Sequence, residues 1–220
     1  MGKEAVDYYK SLGINWNVYP FCYCTQAIPP VAKDSNQEVK LPQYLFCGSL
    51  TSWKDPFAIA RGLSRIDANN MGEVHYIGDG PLRIPLEKEI LKLNLKDKIH
   101  LLGTKSQTEV PYFMQQADIF ILPSIYDGWG AVVNEALQAG CYVICSDAAG
   151  ASDLILNDKR LGSVFHRGNV KQLAEAMSWC NEHIHEIRSN RHFRMQWAED
   201  HISGKAVAKY MIDCLEKSMN

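Results

Sequence analysis

Two carboxylates, Asp127 and Glu135, stand on either side of a Gly128-x-Gly130 break in the run SIYDGWGAVVNEALQAG, residues 124–140. The first half of this run is small and glycine-broken, and the second half reads as a helix. Gly128 and Gly130 allow a sharp backbone turn and leave the N-terminus of that helix uncovered. The N–H groups near Ala131 and Val132 then face outward, with the positive end of the helix dipole behind them. Such donors hold an anion, and phosphate above all. Lys54, in the run CGSLTSWKD, supplies a full positive charge from another loop. Glu135 falls in the first turns of the helix, where its carboxylate is favourable near the dipole. It can accept two hydrogen bonds from a vicinal diol such as the ribose 2′- and 3′-hydroxyls. Asp127, on the loop ahead of the helix, points toward whatever lies beyond the phosphates. Diol, diphosphate, then a further polar group: that order describes a nucleotide sugar. Plainer roles stay open, Glu135 as a first-turn acid and Asp127 as a turn former. A dinucleotide site of the G-x-G-x-x-G type is disfavoured, because Val133 stands where the third glycine belongs.

These residues need a scaffold. From Leu41 onward short apolar runs recur: YLFCGS (44–49), VHYIG (74–78), IHLLG (99–103), IFILPS (119–124), YVICSD (142–147) and a shorter SVFH (163–166). Helical stretches alternate with them: PFAIARGLSRI, PLEKEILKLNL, TEVPYFMQQA and AVVNEALQAG. In the third, Thr108 is the expected N-cap and Pro111 falls in the tolerated first turn. This alternation predicts βαβ units, hence a doubly wound α/β fold with a parallel sheet covered on both faces and a helical C-terminal tail. In such sheets ligands collect beyond the carboxyl ends of the strands. CGSLTSWKD, GDGPLR, GTKS, SIYDGWG and SDAAGAS all belong at that edge.

Composition excludes other classes. Lys+Arg 23 against Asp+Glu 25 gives a net charge of −2, so no global basic field points to nucleic acid or an anionic membrane. No apolar run reaches the ~18 residues of a membrane span, and the N-terminus has no signal-peptide core. The seven cysteines are scattered without a CxxC pair, which predicts reduced thiols in a cytoplasmic protein. In extended chain Cys22 and Cys24 point to opposite faces, so no metal clip is expected there. The histidines, His75, His100, His183 and His185 among them, show no clustering, and no metal site is predicted.

The run YLFCGSL…K…VHYIGDGPLR…IHLLG…ADIFILPSIYDGWGAVVNEALQAGCYVICSDAAG resembles the C-terminal, donor-binding domain of family 4 retaining glycosyltransferases of the GT-B fold (glycosyl transferases group 1). The resemblance covers about residues 41–185, with five motifs in order. The family's Glu, seven residues, Glu motif reads here as Asp127, seven residues, Glu135. The resemblance implies that Glu135 binds the ribose and that Asp127 stands near the transferred sugar. It implies that Lys54 binds the diphosphate and that Gly103, Thr104 and Lys105 line the base. Gly48, Ser49, Gly128, Trp129, Gly130, Ala131 and Val132 complete the implied donor contacts, with Asp127 and Lys54 in the catalytic roles. Two departures stand out: Ser49 replaces the basic residue that usually follows the first glycine, and the first acid is Asp rather than Glu.

The implied reaction transfers a sugar from a nucleotide diphosphate sugar to a glycan or lipid-linked acceptor with retention, with no cofactor and no metal required. DGWG…VVNEAL has the flavour of bacterial surface-polysaccharide enzymes. GT-B enzymes bind the acceptor in a separate N-terminal domain. Residues 1–40 are therefore expected to be the end of that domain and a linker, residues 41–185 the nucleotide-sugar domain, and residues 186–220 the tail. On this expectation the chain is the donor-binding half, inactive alone, of a cytoplasmic parent peripheral to the inner membrane. Its partners would be the nucleotide sugar and the acceptor, with no nucleic acid. The alternatives are a non-catalytic nucleotide-binding module and a GT-B nucleotide-sugar epimerase.

Overall fold

A computed structural model describes residues 3–14, 17–25 and 41–219. Part of the expected linker, residues 26–40, lies outside the described residues. Six strands follow in chain order: β1 (Gln43–Cys47), β2 (Glu73–Ile77), β3 (Ile99–Leu101), β4 (Ile119–Leu122), β5 (Tyr142–Ser146) and β6 (Gly162–Phe165). All pair in parallel, in the spatial order β3-β2-β1-β4-β5-β6. That is the doubly wound order, which reverses between β1 and β4. The predicted fold class holds.

Nine helices are described: α1 (Lys3–Ser11), α2 (Pro56–Leu63), α3 (Arg83–Lys92), α4 (Val110–Gln116), α5 (Val132–Gln138), α6 (Val170–Glu182), α7 (Ile184–Ser189), α8 (Arg191–Ile202) and α9 (Gly204–Met219). Alternate residues of β1 sort them into two layers. Tyr44 and Phe46 face a core made with Leu63 of α2, Leu86 of α3 and Met177 of α6. Leu45 faces the other core, built from Met114 of α4, Leu137 of α5 and Ala198 of α8. Every residue of β4 is buried, as a central parallel strand with both faces covered must be. Burying each such side chain stabilises by about 1.5–3 kcal/mol.

The tail helices are anchored unequally. In α8 the buried Arg194 donates to the carbonyls of Gly140 (2.8 Å) and Arg160 (3.1 Å), and burial lowers its pKa to about 10. Arg188 of α7 pairs with the buried Asp118 at 2.8 Å. By contrast, α9 leaves Met211, Ile212 and Leu215 exposed.

One local expectation fails. Thr108 does not cap α4. Ser106 donates through its N–H (2.8 Å) and hydroxyl (2.7 Å) to the Glu109 carboxylate, and the Glu109 N–H returns a bond to Ser106 Oγ at 3.3 Å. This reciprocal exchange is a capping box, satisfying two donors where a lone Thr108 would satisfy one. Pro111 does sit in the first turn.

Candidate functional site

The reversal of strand order sets the loop after β1 beside the loop after β4. Main-chain bonds zip them together: the N–H groups of Ile125 (2.8 Å) and Tyr126 (3.3 Å) both donate to the Trp53 carbonyl. The first loop is braced from the other side, where the Leu50 N–H donates to Asp79 O at 3.0 Å and the Gly48 N–H to Ile77 O at 3.0 Å. That bracing requires Gly78, with φ +129°, because a Cβ there would meet Gly48 O at 2.0 Å. The second loop is braced where the Asp127 N–H donates to Ala148 O at 3.2 Å.

Within this frame the Lys54 ammonium and the Asp127 carboxylate form an ion pair, their side chains 26% and 13% exposed. Asp55, next to Lys54, adopts the left-handed region at φ +43°, a conformation a non-glycine residue holds only when its surroundings enforce it. Gly130 at φ +85° is equally constrained, since a Cβ would lie 2.8 Å from Leu122 Cδ2. The Gly130 carbonyl accepts from the Val133 N–H at 2.8 Å and that of Ala131 from the Asn134 N–H at 3.0 Å. The N–H groups of Ala131 and Val132 stand ahead of these, at the open end of a helix of 7 residues.

Glu135 is half-buried, and burial raises its pKa. Its carboxylate has no ion-pair or hydrogen-bond partner among the described residues. It does not point into the core. Its field reaches Cys47, at the carboxyl end of β1, whose pKa burial lifts to about 11 with Glu135 adding to the rise and Lys54 opposing it. Glu135 and Lys54 thus both act on the same strand end, one an acceptor and the other a cation.

A cavity of about 580 Å³ opens here, lined by Ser49, Thr51, Trp53, Lys54, Tyr126, Asp127 and Gly128. Four of these, Ser49, Lys54, Asp127 and Gly128, are residues the sequence singled out. Thr51, Trp53 and Tyr126 were missed, although the two aromatics directly precede Lys54 and Asp127 in the chain. Trp129 lies elsewhere. Its indole is buried, donates to Asn134 Oδ1 at 3.0 Å and meets the Tyr23 ring edge-on at 6.1 Å. The Trp129 side chain therefore serves the core, not the cavity. Gly103, Thr104 and Lys105 follow β3, two strands along the same sheet end from Lys54. Gly103 O accepts from the Gly78 N–H at 2.9 Å, and Lys105 lies over the Phe113 ring at 5.6 Å.

The expectation that the histidines do not cluster is overturned at one place. His75 and His100 are register partners on β2 and β3, with rings stacked 5.1 Å apart. Glu73, two residues before His75 on the same face, approaches His100 Nε2 at 3.8 Å. One donor atom from each of the three lies within 4.8 Å of the others, a spacing able to hold a metal ion after small rotations. Burial, then His100, lowers the His75 pKa. Strand register, not sequence spacing, makes this cluster.

The family model described as glycosyl transferases group 1 matches residues 29–191. A 2-deoxystreptamine N-acetyl-D-glucosaminyltransferase of Niallia circulans is 30% identical over 115 residues, covering 50% of this chain and 28% of that protein. The chain spans less than half the length of the curated relatives it matches. Among solved structures, sucrose-phosphate synthase from Thermosynechococcus elongatus superposes with a TM-score of 0.79 at 18% identity, covering 99% of this chain and 57% of that one. Anabaena HepE in complex with UDP gives 0.71 at 18% identity, covering 81% and 49%. These two likenesses establish the fold. The family match, over most of the chain and including every loop of the crevice, establishes descent: the chain belongs to the glycosyl transferases group 1 family.

Proposed function

We propose that residues 41–185 bind the nucleotide diphosphate sugar of a retaining glycosyltransferase, with residues 1–40 and 186–220 linking this half to an acceptor-binding half. Glu135 carries the reading. A half-buried carboxylate without a partner is costly, and accepting hydrogen bonds from a vicinal diol satisfies it. Lys54 has three donors, so it can keep Asp127 and still reach a phosphate oxygen. The N–H groups of Ala131 and Val132 add further donors. Asp127 then meets the hydroxyls of the sugar being transferred.

In the reaction the bond between the anomeric carbon and the phosphate oxygen breaks, and the acceptor oxygen bonds to that carbon on the same face. The acceptor's proton passes to the departing diphosphate, so no protein base is required. Lys54 and the helix N-terminus stabilise the negative charge growing on the leaving group. UDP in the HepE complex and the UDP-Gal donor named for a galactosyltransferase of Escherichia coli support a nucleotide-sugar donor. Two relatives act on diphospho-undecaprenol-linked sugars by name, which favours a glycan or lipid-linked acceptor in bacterial surface-polysaccharide synthesis. No helix among the described residues is long and apolar enough to cross a membrane. A cytoplasmic enzyme peripheral to the inner membrane fits this proposal.

A second reading follows from the span of the chain relative to its family: on its own it binds donor without transferring sugar. A thermal-shift and calorimetric panel of nucleosides, nucleoside diphosphates and nucleotide sugars tests both. Binding that requires the diphosphate, with transfer only after an acceptor half is added, is the expected result. Robust transfer by this chain alone would overturn the second reading, and no nucleotide binding at all would overturn the first.

A further inference from the structure

The edge of the sheet carries a cluster that the donor reading does not use. There β3, last in the strand order and three residues long, meets β2 in a ladder of three register pairs. Leu45, His75 and His100 form one row across β1, β2 and β3, on one face of the sheet. Leu45 is 1% exposed, whereas the His100 side chain at the edge is 38% exposed. Strands of a parallel sheet are ordinarily apolar on both faces. Here two imidazoles are register partners instead, and Glu73 stands two residues before His75 on the same face. The Glu73 carboxylate approaches His100 Nε2 at 3.8 Å, too far for a hydrogen bond. Neither imidazole has a hydrogen-bond partner among the described residues. None of the three residues lines the cavity beside Lys54.

We propose that Glu73, His75 and His100 bind a divalent transition ion of the zinc class, which ties β3 to β2. One donor atom from each lies within 4.8 Å of the others, and tetrahedral zinc sets its donors roughly 3.3 Å apart. Each pair must therefore close by about 1.5 Å at most, a movement that rotation of part-exposed side chains supplies. Two imidazoles and one carboxylate suit zinc, copper, nickel or iron. They disfavour magnesium and calcium, which take oxygen ligands. Zinc is the ion chosen here because it imposes no d-electron geometry and needs no redox partner. Three protein ligands leave its fourth position to water on the exposed side. Because the ligands come from both strands, the bound ion is a cross-link between them. Its binding free energy then adds to the stability of a short edge strand.

The test uses the whole chain, without an affinity tag, at about pH 7.5, where ordinary imidazoles are neutral and able to ligate. Calorimetry should show a zinc site with a Kd in the roughly micromolar range or tighter, unaffected by excess magnesium. Cobalt, as a spectroscopic substitute, should give visible bands without the near-ultraviolet charge-transfer band of a bound thiolate. Glu73→Gln, His75→Thr and His100→Thr should each weaken zinc binding about 10-fold or more. Hydrogen exchange supplies a local readout. Zinc should slow the amides of Val74 and Leu102, which join the two strands by donating to Lys98 O (2.8 Å) and Tyr76 O (2.9 Å). Glu73→Gln and His100→Thr lie at part-exposed positions, and melting curves in EDTA that match the parent's confirm that they fold. Zinc bound equally well by these variants and the parent overturns the proposal, as does a thiolate band or unchanged exchange at Val74 and Leu102. A parent chain that binds zinc only in the millimolar range, or loses it to magnesium, overturns it as well.

Discussion

Lys54 and Asp127, 73 residues apart in the chain, meet in an ion pair where the strand order reverses. The pair joins the two loops that make the cavity, so each partner has a structural role beside any role toward a ligand. Removing one leaves the other part-buried and uncompensated, whereas removing both charges leaves neither. Lys54→Ala should therefore destabilise the fold more than the double change Lys54→Met with Asp127→Asn, in urea titrations at neutral pH. Equal losses would show the pair to be a surface contact of no consequence.

The same two residues should separate by ligand. On the proposed donor reading, in which the Lys54 charge serves the phosphates, Lys54→Ala should weaken nucleoside diphosphate binding and barely touch the nucleoside. Asp127→Asn should leave the nucleoside diphosphate nearly unaffected and weaken the intact nucleotide sugar. Calorimetry with nucleoside, nucleoside diphosphate and donor distinguishes these patterns, and a uniform loss across all three ligands would contradict the assignment.

Glu135→Gln should move binding and stability in opposite directions. On the proposed donor reading, losing the charge removes one charge-assisted bond to the diol, about 1.5–3 kcal/mol or roughly tenfold or more in nucleotide affinity. The fold should be at least as stable, since desolvation disfavours the ionised carboxylate. Its folded pKa lies above the usual 4.5, so the folded state binds more protons than the unfolded state between those two values. The Glu135 contribution to stability is thus present below the unfolded pKa and lost as pH rises through the folded one. Nucleotide affinity has the reverse dependence and should fall as pH drops through the folded pKa. Paired melts and titrations of parent and variant from pH 4 to 8, about the span needed, check both signs.

His75 predicts a separate pH effect. Its folded pKa lies below 6.5, through burial and the neighbouring His100, with Glu73 opposing the shift. The neutral ring contributes stability above the unfolded pKa, and that stability is lost as pH falls through the folded value. His75→Thr, which suits the strand, should flatten the decline in melting temperature on the acid side of 6.5. An unchanged slope would place the titrating group elsewhere.

Gly130→Ala should destabilise by about 1–3 kcal/mol, from the positive φ alone and more from the contact with Leu122 Cδ2. Gly128→Ala, with open space around its Cβ position, serves as the control in the same melts.

Much of this was legible in the one-dimensional pattern. Strand-length apolar runs alternating with helix-length ones imply a parallel sheet, because only crossovers of that length connect parallel neighbours. Lys54, Asp127 and Glu135 stood out because each falls in or just after a loop that such a sheet places at its carboxyl edge. The Ser106-x-x-Glu109 box was equally local and was still passed over for Thr108, whose hydroxyl only reaches Ser106 Oγ, at 2.9 Å. What remained depended on strand order and register, which relate residues far apart in the chain. Only when β1 pairs with β4 does Lys54 reach Asp127 and Trp53 meet Tyr126. Only the β2–β3 register stacks His75 on His100. And Trp129, between two loop glycines, turns inward because Asn134 and Tyr23 offer its indole a partner and a packing surface. Local periodicity decides which elements form and which end of the sheet is polar. The packing of those elements decides which side chains share a site.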